Sequence, residues 1–156
     1  MTTELQIFTD GGCQGNPGPG GWAYSIVQET PQGPQITAEQ CGAERYTTNN
    51  RMELTAVIEA LRALSSLPGI SRQAAVYTDS QYVQKGITEW IVKWKKNAWR
   101  TSGKEPVKNQ DLWIELDALA GQCALTWKWI RGHSGIDFNE RCDRMTQQAI
   151  MSLGNG

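Results

Sequence analysis

Residues 8–21 read FTDGGCQGNPGPGG, from Phe8 to Gly21, and their reading decides how the rest of the chain is placed. A short apolar run, Leu5-Gln6-Ile7-Phe8-Thr9, leads into the lone acid Asp10 and reads as a β-strand. The glycines and prolines behind it read as a tight turn. A carboxylate at a strand end, with almost no side chains beside it, faces whatever approaches the sheet. The glycines lack a Cβ and let a ligand backbone come close. The ordinary alternative is a β-turn that begins with Asp, a frequent turn residue. The choice depends on whether further acids reach the same place.

Working outward, residues 22–27 (Trp22-Ala23-Tyr24-Ser25-Ile26-Val27) alternate bulky and small side chains and predict a second strand. Residues 29–34 hold two prolines and a glycine, a hairpin loop, and a third strand falls within 35–46. The period then changes. Leu54, Val57, Ile58, Leu61 and Leu64 recur at three- and four-residue spacing, which predicts an amphipathic helix over 50–67. Thr48 or Asn49 caps it and Pro68-Gly69 stops it. Glu53 lies beside the apolar stripe, where a carboxylate is also simply stabilised by the helix dipole.

Residues 74–78 form another short apolar run ending, like the first, in Thr-Asp. Asp79 or Ser80 then caps a short helix to Gly86, and an N-cap is the ordinary reading of Asp79. Helices are predicted over 109–122 and 139–153, the latter carrying Asp143. A strand at 125–130 feeds a glycine-flanked loop with His133, the single histidine of the chain. Strand–helix–strand units give parallel neighbours and hairpins antiparallel ones, so the order predicts an α/β fold with a mixed sheet.

The length of 156 residues, with 39% hydrophobic and 20% charged positions, fits one domain able to bury a core. No apolar segment approaches the ~20 residues that span a bilayer, and the N-terminus lacks signal-peptide features, so no membrane association and a cytoplasmic location are expected. Cys13, Cys41, Cys123 and Cys142 are scattered, without a CxxC pair, which argues for reduced thiols rather than a metal cluster or disulfide framework. The net charge is −1, but residues 93–108 carry a local +5. That basic stretch is interleaved with Trp90, Trp94 and Trp99. It reads either as an aromatic subcore with a solvated charged face or as a surface that tracks a nucleic-acid backbone.

Asp10, Glu53, Asp79 and Asp143 can converge on one rim of such a sheet, beyond strand ends where ligands of open α/β sheets bind. Four carboxylates in one place repel one another unless divalent cations neutralise them. Oxygen-only ligands suit Mg²⁺ or Mn²⁺, and two such ions are a recurring arrangement for in-line displacement at phosphorus.

Five motifs, in order, carry a resemblance: Ile7-Phe8-Thr9-Asp10-Gly11-Gly12-Cys13, Thr48-Asn49-Asn50-Arg51-Met52-Glu53-Leu54, Tyr77-Thr78-Asp79-Ser80-Gln81-Tyr82-Val83, Gly132-His133-Ser134-Gly135 and Asn139-Glu140-Arg141-Cys142-Asp143. Together they resemble bacterial type 1 ribonuclease H over residues 5–150. The resemblance implies one catalytic domain spanning 1–156 and a three-layer fold with a five-stranded sheet of order 3-2-1-4-5, strand 2 antiparallel. The implied activity is endonucleolytic cleavage of the RNA strand of RNA–DNA hybrids, leaving 3′-hydroxyl and 5′-phosphate ends, with two Mg²⁺ ions (or Mn²⁺) as cofactor.

By the same resemblance Asp10, Glu53, Asp79 and Asp143 are the metal ligands and His133 moves protons or helps product leave. Gly11, Gly12, Cys13, Asn49 and Gln81 are expected to touch RNA. Asn16, Thr48 and Asn50 would meet the DNA strand and phosphates, and Trp90, Lys95 and Lys96 would grip DNA. No obligate protein partner is expected, and the chain is read as a monomer. Gly12 stands where many relatives have serine, Lys85 replaces a neutral contact, the 28–45 hairpin is long, and no N-terminal hybrid-binding domain is evident. Two other functions share part of this pattern: an integrase-like DNA strand-transfer nuclease and a non-catalytic hybrid-binding module.

Overall fold

The apolar alternation at the N-terminus builds β1 (Leu5–Cys13), which pairs antiparallel with β2 (Gly18–Thr30). β3 (Gly33–Thr47) pairs antiparallel with β2, while β4 (Gln73–Thr78) and β5 (Ala124–Trp129) add parallel strands on the other side. The resulting order is β3-β2-β1-β4-β5, with β2 the antiparallel strand, as the resemblance implies. The computed structural model describes residues 5–67, 73–130 and 137–154.

Two expectations about the hairpins are corrected. β1 does not end at Asp10. It continues through Gly11, Gly12 and Cys13 opposite Trp22, Gly21 and Gly20. An available antiparallel edge on β2 extends the ladder through residues whose local composition favours a turn, and the turn moves to residues 14–17. Likewise the loop expected over 29–34 shrinks to Pro31-Gln32, because β2 and β3 pair up to Thr30 and Gly33.

Helix α1 (Asn49–Ser66) starts where Thr48 accepts a hydrogen bond from the Arg51 backbone N–H, settling the cap in favour of Thr48. Its buried stripe, Leu54, Val57, Ile58, Leu61 and Leu64, packs on Leu5, Ile7, Tyr24, Ile26 and Val76 of the sheet. α4 (Gln110–Ala120) adds Trp113 and Leu116 to the same layer. Each such side chain contributes roughly 1.5–3 kcal/mol on full burial, so this layer holds α1 in place far more firmly than its cap does. Helix α5 (Asp137–Leu153) covers the opposite face, where Cys142 packs with Phe8, Ala23 and Val27. The sheet lies between these two helical layers, giving the three layers of the expected fold.

Between β4 and α4 the chain forms α2 (Gln81–Lys85), a π-helical turn (Gly86–Trp90) and α3 (Ile91–Lys96) in continuous succession. A Cβ at Gly86 would lie 2.0 Å from the Trp113 ring, so the missing side chain makes room for the largest fully buried residue. Trp94 meets Trp113 edge-on at 5.4 Å, and Trp90 and Trp99 pack on Trp94 at 5.8 and 6.4 Å. The aromatic subcore reading therefore holds for these tryptophans, while the adjacent Lys93, Lys95 and Lys96 stay exposed.

No helix among the described residues is long and apolar enough to cross a membrane, and no disulfide joins the four cysteines.

Candidate active site

Parallel pairing of β1 with β4 stops at Phe8 opposite Tyr77. Beyond that point β1 runs on along β2 alone, and a gap opens on its β4 side. Asp10 sits in this gap and Asp79 follows the last residue of β4. Asp10 thus lies just past the end of the parallel pairing but within its strand. Crevices beyond the carboxyl ends of parallel strands are where open α/β sheets bind ligands.

Helix α1 brings the third acid. A Cβ on Gly11 would stand 2.4 Å from the Met52 carbonyl carbon and 2.5 Å from the Glu53 nitrogen. Gly11 is bare where α1 rests on β1, so the packing of the helix is one demand that its missing side chain meets. The same contact lets the Gly11 N–H donate to Glu53 Oε1 at 3.2 Å. One carboxylate oxygen of each of Asp10, Glu53 and Asp79 then lies within 4.8 Å of the others.

The ordinary reading of Asp79 fails here. Ser80 is the N-cap of α2, its hydroxyl accepting from the Val83 N–H. Asp79 is left to face the cluster, and its own carbonyl accepts from Trp129 Nε1 at 3.1 Å. Asp143, on α5, lies outside the 4.8 Å set but is near enough for its charge to raise the Asp10 pKa.

Burial and mutual repulsion define the electrostatics. Desolvation, then the charge of Asp79, push Asp10 up to about 7, against opposing hydrogen bonds from Thr146 and the Gly11 backbone. Desolvation, followed by Asp10 and Asp79, holds Glu53 well above the ordinary carboxylate range. Its second oxygen, Oε2, is buried without a hydrogen-bond partner. A buried acid with an orphaned oxygen beside two more carboxylates fits a hard divalent cation, which neutralises the charge and takes oxygen ligands.

The remaining expected site residues divide into engaged and open ones. Asn16 Oδ1 accepts from the Asn49 N–H at 3.1 Å, joining the β1–β2 turn to the start of α1. Cys13 directs its thiol to the carbonyls of Gly15, Gly18 and Thr47, so it secures that turn from within. Thr48 spends its hydroxyl on the cap. Trp90 packs on Tyr82 and Trp94, and Lys95 pairs with Asp117 at 3.2 Å. Asn49, Gln81 and Lys96 are exposed, Asn50 is half-buried, and the position of a Cβ on Gly12 meets nothing within 4 Å. His133 lies outside the described residues.

Sequence reasoning missed Thr146 on α5, whose buried hydroxyl donates to the Cys142 carbonyl at 2.9 Å and lies near enough to Asp10 to hold its pKa down. The signal was present. Cys142, Thr146, Ala149 and Ile150 recur at three and four residues, and a hydroxyl in that stripe faces the sheet.

Comparison with known proteins agrees with this geometry. A family model described as RNase H matches residues 2–151. The ribonuclease H of Cupriavidus necator is 52% identical over 151 residues, covering 97% of this chain and 98% of the relative. That of Dechloromonas aromatica is 53% identical over 155 residues, covering 98% and 99%. Among solved structures, LC9-RNase H1, a type 1 RNase H with the type 2 active-site motif, superposes with a TM-score of 0.85 at 32% identity, covering 97% of this chain and 74% of that one. LC11-RNase H1 in complex with an RNA/DNA hybrid superposes with a TM-score of 0.66 at 26% identity, covering 96% and 99%.

Proposed function

The chain belongs to the ribonuclease H family, and on that premise we propose that it is an endoribonuclease hydrolysing the RNA strand of RNA–DNA hybrids, with 3′-hydroxyl and 5′-phosphate products. The observation that carries the reading is the buried trio Asp10, Glu53 and Asp79 at the end of the β1–β4 pairing. Asp143 completes the ligand set from α5. These four carboxylates would hold two Mg²⁺ ions, or Mn²⁺ in their place, and the ions would supply activation of the attacking water and charge stabilisation at the leaving oxygen.

The chain's own residues do the rest. Gly11 fixes one oxygen of Glu53 and leaves the other for a ligand. Thr146 stands beside Asp10 and favours its charged form, and Trp129 holds the carbonyl of Asp79. His133 is assigned to proton movement or product release, a task that suits imidazole because its ordinary pKa lies near neutrality. A hybrid displays the 2′-hydroxyl in its wide minor groove, and that group distinguishes RNA from DNA. Exposed Asn49 and Gln81, with the backbone of Gly11, Gly12 and Cys13, would lie against the RNA. Asn16, Thr48 and Asn50 would lie against the DNA strand, and Trp90, Lys95 and Lys96 would bind it further along. The proposal includes a monomer acting in the cytoplasm, where the unbridged cysteines stay reduced.

Hybrid cleavage with and without Mg²⁺ tests this. RNA of the hybrid is cut only with the ion, while the DNA strand and double-stranded RNA survive. Equal cutting of DNA would support the strand-transfer alternative, and binding without cutting in either ion would leave a binding module.

A further inference from the structure

A row of cross-strand neighbours runs over the α5 face of the sheet. Phe8 on β1 is opposite Ser25 on β2, and Ser25 is opposite Glu39 on β3. Consecutive residues of α5 are seated on this row. Arg141 donates to Glu39 through Nε at 2.8 Å and Nη2 at 2.6 Å, a two-pronged pair. The Ser25 hydroxyl donates to the same Glu39 carboxylate at 3.0 Å. The Cys142 thiol lies 3.4 Å from the Phe8 carbonyl oxygen and 3.6 Å from Ser25 Oγ. The next residue of the helix is Asp143, and two residues beyond Phe8 on β1 is Asp10.

We infer that Glu39, through Arg141, is a positioning residue that sets where Asp143 stands relative to Asp10. The inference rests on the metal-site reading above and deepens it. Asp143 is carried by α5, and of the four acids it is the one outside the 4.8 Å set. Its placement therefore depends on how α5 is rotated and slid across the sheet. Hydrophobic contacts of Cys142, Ala149 and Ile150 hold the helix down but fix its register weakly, because apolar packing is non-directional. A bidentate Arg–carboxylate pair is directional. Glu39 sits on the outermost strand in the middle of the long 28–45 hairpin, which gives that hairpin a task. The side chains of Arg141 and Glu39 are 43% and 24% exposed. Water reaches the pair, so its removal leaves no fully buried charge behind.

The test follows Mg²⁺ by two readouts, hybrid cleavage and the thermal shift of the hybrid-free protein as the ion is added. Glu39→Gln is expected to raise the half-effective Mg²⁺ concentration about tenfold in both, the scale seen when partners of metal ligands are removed. KM for the hybrid should stay within about twofold, and excess Mg²⁺ should restore most of kcat by mass action. Arg141→Lys, which keeps the charge but not the fork, should give a smaller shift in the same direction and serves if Glu39→Gln folds poorly. Glu115→Gln breaks the comparable Arg62–Glu115 pair between α1 and α4 and should leave the Mg²⁺ midpoint unmoved. An unshifted midpoint in both the Glu39 and Arg141 variants, or an equal shift in Glu115→Gln, overturns the inference. Unaltered protein that neither cuts hybrid nor responds to Mg²⁺ overturns the functional reading instead.

Discussion

The acidic cluster and the basic segment are the two strongly charged regions of this protein, and the chain places their charges in opposite ways. Asp10 and Glu53 are buried beside each other and beside Asp79, with hydrogen bonds that offset only part of the repulsion. Lys93, Lys95 and Lys96 remain in water above a layer of packed rings. Burying like charges lowers stability, and a fold keeps such a feature where a ligand compensates for it. Exposed cations cost little and attract polyanions over about a Debye length. The first region is built for chemistry at short range and the second for attraction at long range.

The largest expected effect tests that division directly. Asp10→Asn should lower turnover by about a thousandfold or more, because it removes a charge-bearing ligand at the point of reaction. Hybrid affinity should change little, since the basic segment is untouched. A filter-binding measurement beside the cleavage assay checks both. A large loss of affinity would mean that the two regions are not separable.

The next effect is on the floor of the basic segment. Gly86→Ala puts a methyl group into the Trp113 ring, and overpacking of that kind costs about 1–3 kcal/mol or more when the neighbour cannot move. Trp113 is fully buried, and its Nε1 donates to the Tyr82 hydroxyl, so its room for movement is small. Denaturant unfolding should show the loss. Cleavage at saturating hybrid should persist below the new melting temperature if the rings support the cations without taking part in the reaction.

A third measurement concerns the cost of the acidic cluster itself. The Asp10 pKa is raised from 3.8 to about 7, so between those values the folded protein holds a proton that the unfolded chain has released. Stability of the metal-free protein therefore falls as pH rises across that window, by on the order of 4 kcal/mol. Glu53 acts in the same direction. Asp10→Asn should flatten this dependence and raise stability at pH 8. Mg²⁺ should recover it in the unaltered protein, because binding needs the deprotonated form. Unfolding in a chelator at pH 5 and pH 8 reads the difference, and a rise in stability with pH would contradict the burial argument.

How much of this was legible depends on how far apart the interacting residues stand. The strands and the helix stripes repeat over a few residues, and periodicity exposed them; the four acids stand far apart in the chain and were gathered by their places on those elements and by the resemblance. The extent of β1 was not visible, because Gly11, Gly12 and Cys13 are held in the strand by Gly20, Gly21 and Trp22 rather than by their own preferences. The cap of α2 was open between Asp79 and Ser80 until the Val83 N–H chose Ser80. The two glycines after Asp10 looked equivalent and are not. Gly11 lies under α1, whereas Gly12 borders open space. Glu39 and Arg141 are 102 residues apart, and no spacing rule joins them. His133 falls outside the described residues, so its expected role stands on the resemblance alone.

The smallest expected effect separates two neighbouring lysines. Lys95 already pairs with Asp117 at 3.2 Å, an exposed contact of the kind worth about 0–1 kcal/mol, whereas Lys96 is exposed and no ion pair engages it among the described residues. Each phosphate contact made on binding releases condensed counterions and steepens the dependence of affinity on salt by somewhat less than one in the logarithmic slope. Lys96→Ala should therefore weaken hybrid binding a few-fold and flatten the slope by about 0.7–0.9. Lys95→Ala should do less of both, because Asp117 neutralises part of the charge it would offer. Asp117→Asn supplies the converse: it should release Lys95 and strengthen binding at low salt, with the gain lost as salt rises. Equal effects of the two lysines, together with no change in Asp117→Asn, would mean that phosphate displaces Asp117 without cost. The basic segment would then act as a uniform cationic surface rather than one graded by its internal ion pair.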